Sequence, residues 1–205
     1  MMVSILHCWK KRSDSPRRRL SCWLALWALW ASLLCGDAGA AGLEFRYTEL
    51  VAAEQEYLVN AAVNLQMRPR LQEMVEAGVA IPFRAEFSLT RPRWYWFSET
   101  VVEQVLELSL SYHALTRQYR VKVGSLNRNF SSFDEAVRAL LSVHNWSVIE
   151  RNRLREGETY AASLRFRLDV ASLPKPFQVA ALGSRDLDLT TGWTTWALQI
   201  PREPR

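Results

Sequence analysis

Apolar and polar residues alternate along most of the chain. In IPFRAEFSLT (81–90), Ile81, Phe83, Ala85, Phe87 and Leu89 fall on one side, and Arg84, Glu86, Ser88 and Thr90 on the other. In YAASLRFRLDV (160–170), Tyr160, Ala162, Leu164, Phe166, Leu168 and Val170 alternate with Ser163, Arg165, Arg167 and Asp169. A period of two sustained this long marks a strand with one buried face. The same rhythm predicts strands over 43–50, 57–66, 106–113 and 119–123, with shorter ones over 146–150 and 194–200. The stretch SYHALTRQYRV (111–121) has the form of an antiparallel hairpin. RNRLREGETY (151–160) has the form of another, with Gly157 making the turn. The pattern therefore predicts a mainly β chain, an antiparallel β-sandwich or half-open barrel of about eight strands.

Two segments switch to helical spacing. RPRLQEMVEAG (68–78) has Pro69 in a first turn, Leu71, Met74 and Val75 on one face, and Gly78 as a stop. SFDEAVRALLSVHNW (132–146) opens with the Ser132/Glu135 capping-box spacing and carries Phe133, Ala136, Val137, Leu140 and Leu141 as an apolar stripe. Two short helices covering the sheets are expected. LPKPFQVAAL (173–182) is expected as an extended corner, broken at Pro174 and Pro176, with Phe177 in the core or on a docking lip.

The first forty residues read differently. Lys10, Lys11, Arg12, Arg17, Arg18 and Arg19 precede a run from Leu20 to Cys35 that carries no charge, and Ala38-Gly39-Ala40 follows. Basic head, apolar middle and small-residue exit are the parts of an export signal. The apolar run would span only about 24 Å as a helix, short of a bilayer core of about 30 Å. The expectation is a signal peptide over 1–40 and a single mainly β domain over 41–205. An uncleaved inner-membrane anchor is the alternative. All three cysteines, Cys8, Cys22 and Cys35, lie within the leader, so the remainder has no disulfide, thiolate metal site or cysteine nucleophile. Of 26 basic and 21 acidic residues, the leader holds six and two, which leaves 20 against 19 beyond it. The basic excess belongs to the leader and gives no reason to expect a nucleic-acid partner.

Candidate chemistry is sparse. His113 and His144 are the two histidines beyond the leader, read as surface residues, with His144 at a helix end. Asp186 and Asp188 form an i, i+2 pair with no further ligand pattern, best read as a solvated turn. Ser-Lys chemistry would have to use Lys122 or Lys175, in poor settings. No nucleophile-elbow, zinc-protease or phosphate-loop pattern is present. Neither cofactor, metal nor enzymatic activity is expected. An outer-membrane barrel fits poorly, because the amphipathic helices need covering faces and the chain ends in PREPR.

RPRWYWFSE (91–99) sets Arg91 and Arg93 beside Trp94, Tyr95, Trp96 and Phe97. Alternation cannot bury all four rings on one face. The segment is therefore either a central strand packed on both sides or an exposed contact surface, of the kind seen at interface anchors and in membrane headgroup zones. Arg91, Arg93, Trp94, Tyr95 and Trp96, with Lys175 and Phe177, are the candidate partner-binding residues.

The chain resembles the domain of unknown function 4390 family, exported proteins of proteobacteria. The likeness rests on LSYHALTRQYRV (110–121), FSSFDEAVRALLSVHNWSVI (130–149), LRFRLDVASLPKPFQVAAL (164–182) and LDLTTGWTTWAL (187–198). The resemblance implies an envelope protein, without an assigned activity, whose gene neighbours a nitrogen-regulation-type membrane sensor kinase. The function expected is a non-enzymatic periplasmic binding or accessory module, with that kinase or another envelope protein as partner. A carrier of a lipid or small hydrophobic ligand, using an aromatic cleft with Trp94, Trp96 and Trp196, is the first alternative. An enzyme with an unrecognised site is the second.

Overall fold

Phe83, Phe87 and Phe166 are among the most deeply buried side chains, and they come from two neighbouring strands. A computed structural model describes residues 43–65, 69–95, 97–182 and 187–202. The leader expected over 1–40 and the candidate residues Trp96 and Asp186 lie outside them.

Nine described strands form two antiparallel sheets. They are β1 (Leu43–Ala52), β2 (Glu56–Leu65), β3 (Ile81–Arg91), β4 (Glu99–His113), β5 (Gln118–Val123), β6 (Leu126–Phe130), β7 (Ser142–Glu150), β8 (Thr159–Leu168) and β9 (Thr194–Gln199). The larger sheet runs β6-β5-β4-β3-β8-β9 and the smaller β1-β2-β7. Three α-helices lie among the described residues: α1 (Pro69–Glu76), α2 (Phe133–Leu140) and α3 (Lys175–Leu182). The described strands form a sandwich and close no barrel.

The inner face of the larger sheet is covered in two ways. Toward the C-terminal end of β3, Phe87 and Leu89 meet Val102, Tyr160 and Leu164, and the smaller sheet closes over them with Tyr57, Val59, Val148 and Ile149. Toward its N-terminal end, Ile81 and Phe83 join Leu108, Leu110 and Val121 under Met74 and Val75 of α1 and Phe133, Val137 and Leu140 of α2. Each such side chain stabilises by about 1.5–3 kcal/mol when fully buried, so the alternation read from the sequence is the fold's main energy term. Tyr119 bridges sheet and helix: its ring lies 5.5 Å from that of Phe133, and its hydroxyl donates to Glu76 of α1 at 2.8 Å.

The outer face of the larger sheet is polar, as expected of an antiparallel sheet with one side in water. Glu86 accepts hydrogen bonds there from Arg165 and Arg167. Burial works against the Glu86 carboxylate, but the two arginines outweigh it and hold its pKa below the ordinary value. Arg165 also stacks on Trp193, 4.5 Å from the ring centre.

Several expectations need correction. α2 stops at Leu140, because Ser142 and Val143 pair with Ala62 and Ala61 of β2 and Val63 donates to the Leu141 carbonyl. Sheet pairing overrides the apolar stripe, and His144 becomes a strand residue. Ser132 takes the extended N-cap conformation, but its side chain makes no cap hydrogen bond. Residues 173–182 are not an extended corner. Pro176 stands in the first turn of α3, where its missing N–H costs nothing. The segment 151–158 is not a hairpin turn but a crossover between sheets, since β7 and β8 belong to different ones. It contains a 3-10 turn at Arg151–Arg153, and Gly157 takes φ 72°. Strand β6 has no counterpart in the sequence reading, because four of its five residues are exposed and leave no alternation.

Candidate functional site

Arg91 is the last residue of β3 and Glu99 the first of β4, so 92–98 form the tip of the β3–β4 hairpin. The segment is therefore not a central strand. Alternation ends at Leu89, and Pro92 has no N–H to offer a sheet ladder. Trp94 is 93% exposed, Tyr95 65% and Phe97 86%. The Trp94 and Tyr95 rings pack edge to face, 5.0 Å apart, so part of the apolar surface is already ordered.

The base of the tip is tied down. Arg91 donates from Nε to Glu99 at 3.1 Å, and Arg91 Nη2 and Arg93 Nη2 bond the same carboxylate. Arg91 Nη1 reaches both oxygens of Glu158, in the crossover before β8, at 3.1 Å. Glu158 also accepts from the Tyr160 hydroxyl at 3.0 Å, which itself accepts from the Arg155 backbone N–H at 3.0 Å. Hydrogen bonds from Arg91 and then Arg93 hold the Glu99 carboxyl below its ordinary pKa. Burial pushes Glu158 up, yet the bonds from Arg91 and Tyr160 bring it below the ordinary value. The clasp holds the aromatic tip against the body of the sandwich.

The same end of the sandwich carries further loops. The Arg151 N–H donates to Gln55, in the β1–β2 turn, and its guanidinium lies 5.8 Å from the centre of the Tyr57 ring. The Gly157 N–H donates to Ile200, after β9. A shallow depression of about 190 Å³ at the base of the tip is lined by Arg91, Glu99, Thr100, Val101, Arg153, Arg155 and Tyr160.

The other candidates lie elsewhere. Lys175 is the first residue of α3 and is exposed, while Phe177 is half-buried against the core under α1 and α2. Their helix follows Asp169, whose N–H bonds the Pro82 carbonyl at the N-terminal end of β3. They are thus separated from the tip by the length of that strand, about 30 Å. His113 ends β4, with Nδ1 3.4 Å from the Thr116 hydroxyl; His144 stands on β7, in the other sheet. Asp188 is exposed between the buried Leu187 and Leu189. Among the described residues no group of three His, Cys, Asp or Glu side chains is placed to hold a metal ion.

A polar depression of about 170 Å³ opens on the outer sheet face, lined by Arg84, Glu107, Ser109, Lys122, Asp169 and Ser172 among others. Asp169 is its buried polar member. It accepts from the Ser172 hydroxyl at 2.6 Å and lies 2.9 Å from Arg84 Nε. That N–H is not aimed at an acceptor, so the Arg84 contact is an ion pair without a hydrogen bond. Between the sheets, the space lined by Phe45, Ala85, Trp146 and Phe166 amounts to about 10 Å³, room for one water at most. Trp94 is out on the tip and Trp196 half-buried on β9, so the two share no cleft.

Glu99 and Glu158, which hold the base of the tip, have no role in the sequence reading. Glu99 stands within the aromatic segment, but nothing local marks Glu158 as its companion.

The family model described as "Domain of unknown function (DUF4390)" matches residues 40–197. No curated protein and no solved structure matches the chain.

Proposed function

Since the chain belongs to the DUF4390 family, whose description assigns no activity, we propose a function from its surface: an exported, non-enzymatic binding module that makes contact through the β3–β4 tip. The observation that carries this reading is the exposure of Trp94, Tyr95 and Phe97 on a hairpin whose base is fixed by Arg91, Glu99 and Glu158. Rings held in place before contact lose little freedom on binding, which is how a small surface acquires affinity. The leader-like first forty residues support export. The family resemblance supports a place beside the extracytoplasmic part of a membrane sensor kinase, with the module modulating its signalling.

The test is crosslinking of the full chain in the envelope of its own host, with the wild type and the Trp94→Ser/Phe97→Ser variant side by side. The reading expects capture of the sensor kinase by the wild type and its loss in the variant. Equal capture by both chains, or none of the kinase by either, would contradict it.

A further inference from the structure

The tip has features that distinguish one class of contact from another, given the reading that it is the working surface. We propose that Trp94, Tyr95 and Phe97 enter the headgroup zone of a lipid bilayer and seat the domain peripherally on the membrane.

Three observations favour lipid as what the rings themselves enter, which would bring the module to a kinase in the same membrane. The first is shape. The rings sit on a hairpin end, where every described residue from Pro92 to Ser98 is exposed. A protein partner would have to supply a matching pocket for these rings and a surround that excludes water. A fluid interface closes around exposed rings in any arrangement.

The second is chemistry. Trp and Tyr join an apolar ring to one polar group, and both concentrate at the level of lipid headgroups. Phe97 supplies a wholly apolar ring, 86% exposed.

The third is charge. Among the described residues, this end of the sandwich carries Arg91, Arg93, Arg151, Arg153, Arg155 and Arg202 against Glu54, Glu56, Glu99, Glu150, Glu156 and Glu158. Arg91 and Arg93 are paired with Glu99, and Arg91 and Arg155 with Glu158. A balanced surface has no strong attraction for an anionic partner, protein or lipid. Apolar transfer of the rings then supplies the affinity, and binding is nearly indifferent to anionic lipid and to salt.

The readout must come from the tip itself, because the leader segment of the full chain could enter a vesicle independently. Phe97 is replaced in the full chain by a coumarin-bearing amino acid, excited directly at wavelengths that Trp and Tyr do not absorb. Its emission is followed with vesicles of phosphatidylcholine, alone or mixed with phosphatidylglycerol, that carry a nitroxide at the headgroup. Quenching of residue 97 is expected in both lipids, little changed by salt, and weakened at least about tenfold by Trp94→Ser. An unquenched residue 97 on vesicle-bound protein overturns the lipid contact, as does quenching confined to anionic vesicles and abolished by salt. Should quenching fail while the tip substitutions still abolish kinase capture, the lipid inference falls and the binding-module reading stands. If both fail, both fall.

Discussion

Arg91 Nη1 lies 3.1 Å from both carboxylate oxygens of Glu158, although 67 residues separate the two in sequence. Through this contact the β3–β4 hairpin grips the crossover that joins the two sheets. The bond raises the pKa of Arg91 further, after the larger effect of Glu99.

The clasp gives the first prediction. Arg91→Met is expected to lower global stability only slightly, since the pairs are partly exposed and screened. Its larger effect is local, with faster proteolytic cutting between Pro92 and Ser98 while the core stays folded. Urea unfolding and limited proteolysis measure the two. Unchanged cutting would show that the tip does not depend on the clasp.

The tip rings are expected to be dispensable for folding. Trp94→Ser and Phe97→Ser should each change stability by no more than about 0.5 kcal/mol, the usual range for exposed positions. Phe87→Ala, in the core with 1% exposure, should cost about 3–5 kcal/mol. Equilibrium denaturation compares them. A large loss from the tip substitutions would mean that the rings are packed, not presented.

Much of this was visible in the sequence. The alternation of Ile81 to Leu89 and of Tyr160 to Leu168 specified strands, which pair with each other; the four tip rings left a strand buried on both sides and an exposed surface equally open, and only the position of 92–98 between β3 and β4 decides. The failures have physical causes. Leu140, Leu141 and Val143 continue an apolar pattern that either helix or strand could use, and only pairing with Ala61 and Ala62 decides between them. Pro174 and Pro176 suggest a break, yet a first turn tolerates proline. The sequence shows that Arg91 is near Glu99, but Glu158 reaches it through sheet topology alone.

Asp169 is expected to be structural. It is 3% exposed, bonded by Ser172, paired with Arg84, and its N–H ties it to Pro82. Asp169→Ala keeps the backbone bond to Pro82 but should cost about 1–2 kcal/mol by leaving the Ser172 hydroxyl and Arg84 without their partner, and Asp169→Asn less, because an amide oxygen still accepts from Ser172. Thermal unfolding of the two variants distinguishes this from a surface carboxylate, for which both would be near neutral.

Tyr119 gives an alkaline signature. Burial first, and then its bond to Glu76, push the phenol up to about 12 in the folded chain, against about 10 when unfolded. Below about pH 10 the hydroxyl is neutral in both states and its contribution is intact. Between about pH 10 and about pH 12 only the unfolded chain ionises, so stability falls as pH rises. Tyr119→Phe should make that decline shallower, as read by urea unfolding at several pH values. An unchanged slope would remove Tyr119 as its source.

The contact surface itself is tested most directly by placing p-benzoylphenylalanine at Tyr95 and, as a control, at the exposed Thr195 on the outer face of β9, then irradiating the full chain in the envelope of its host. Contact through the tip predicts a lipid or kinase adduct from position 95 and none from 195. No adduct at 95, or the same adducts from both positions, would contradict it.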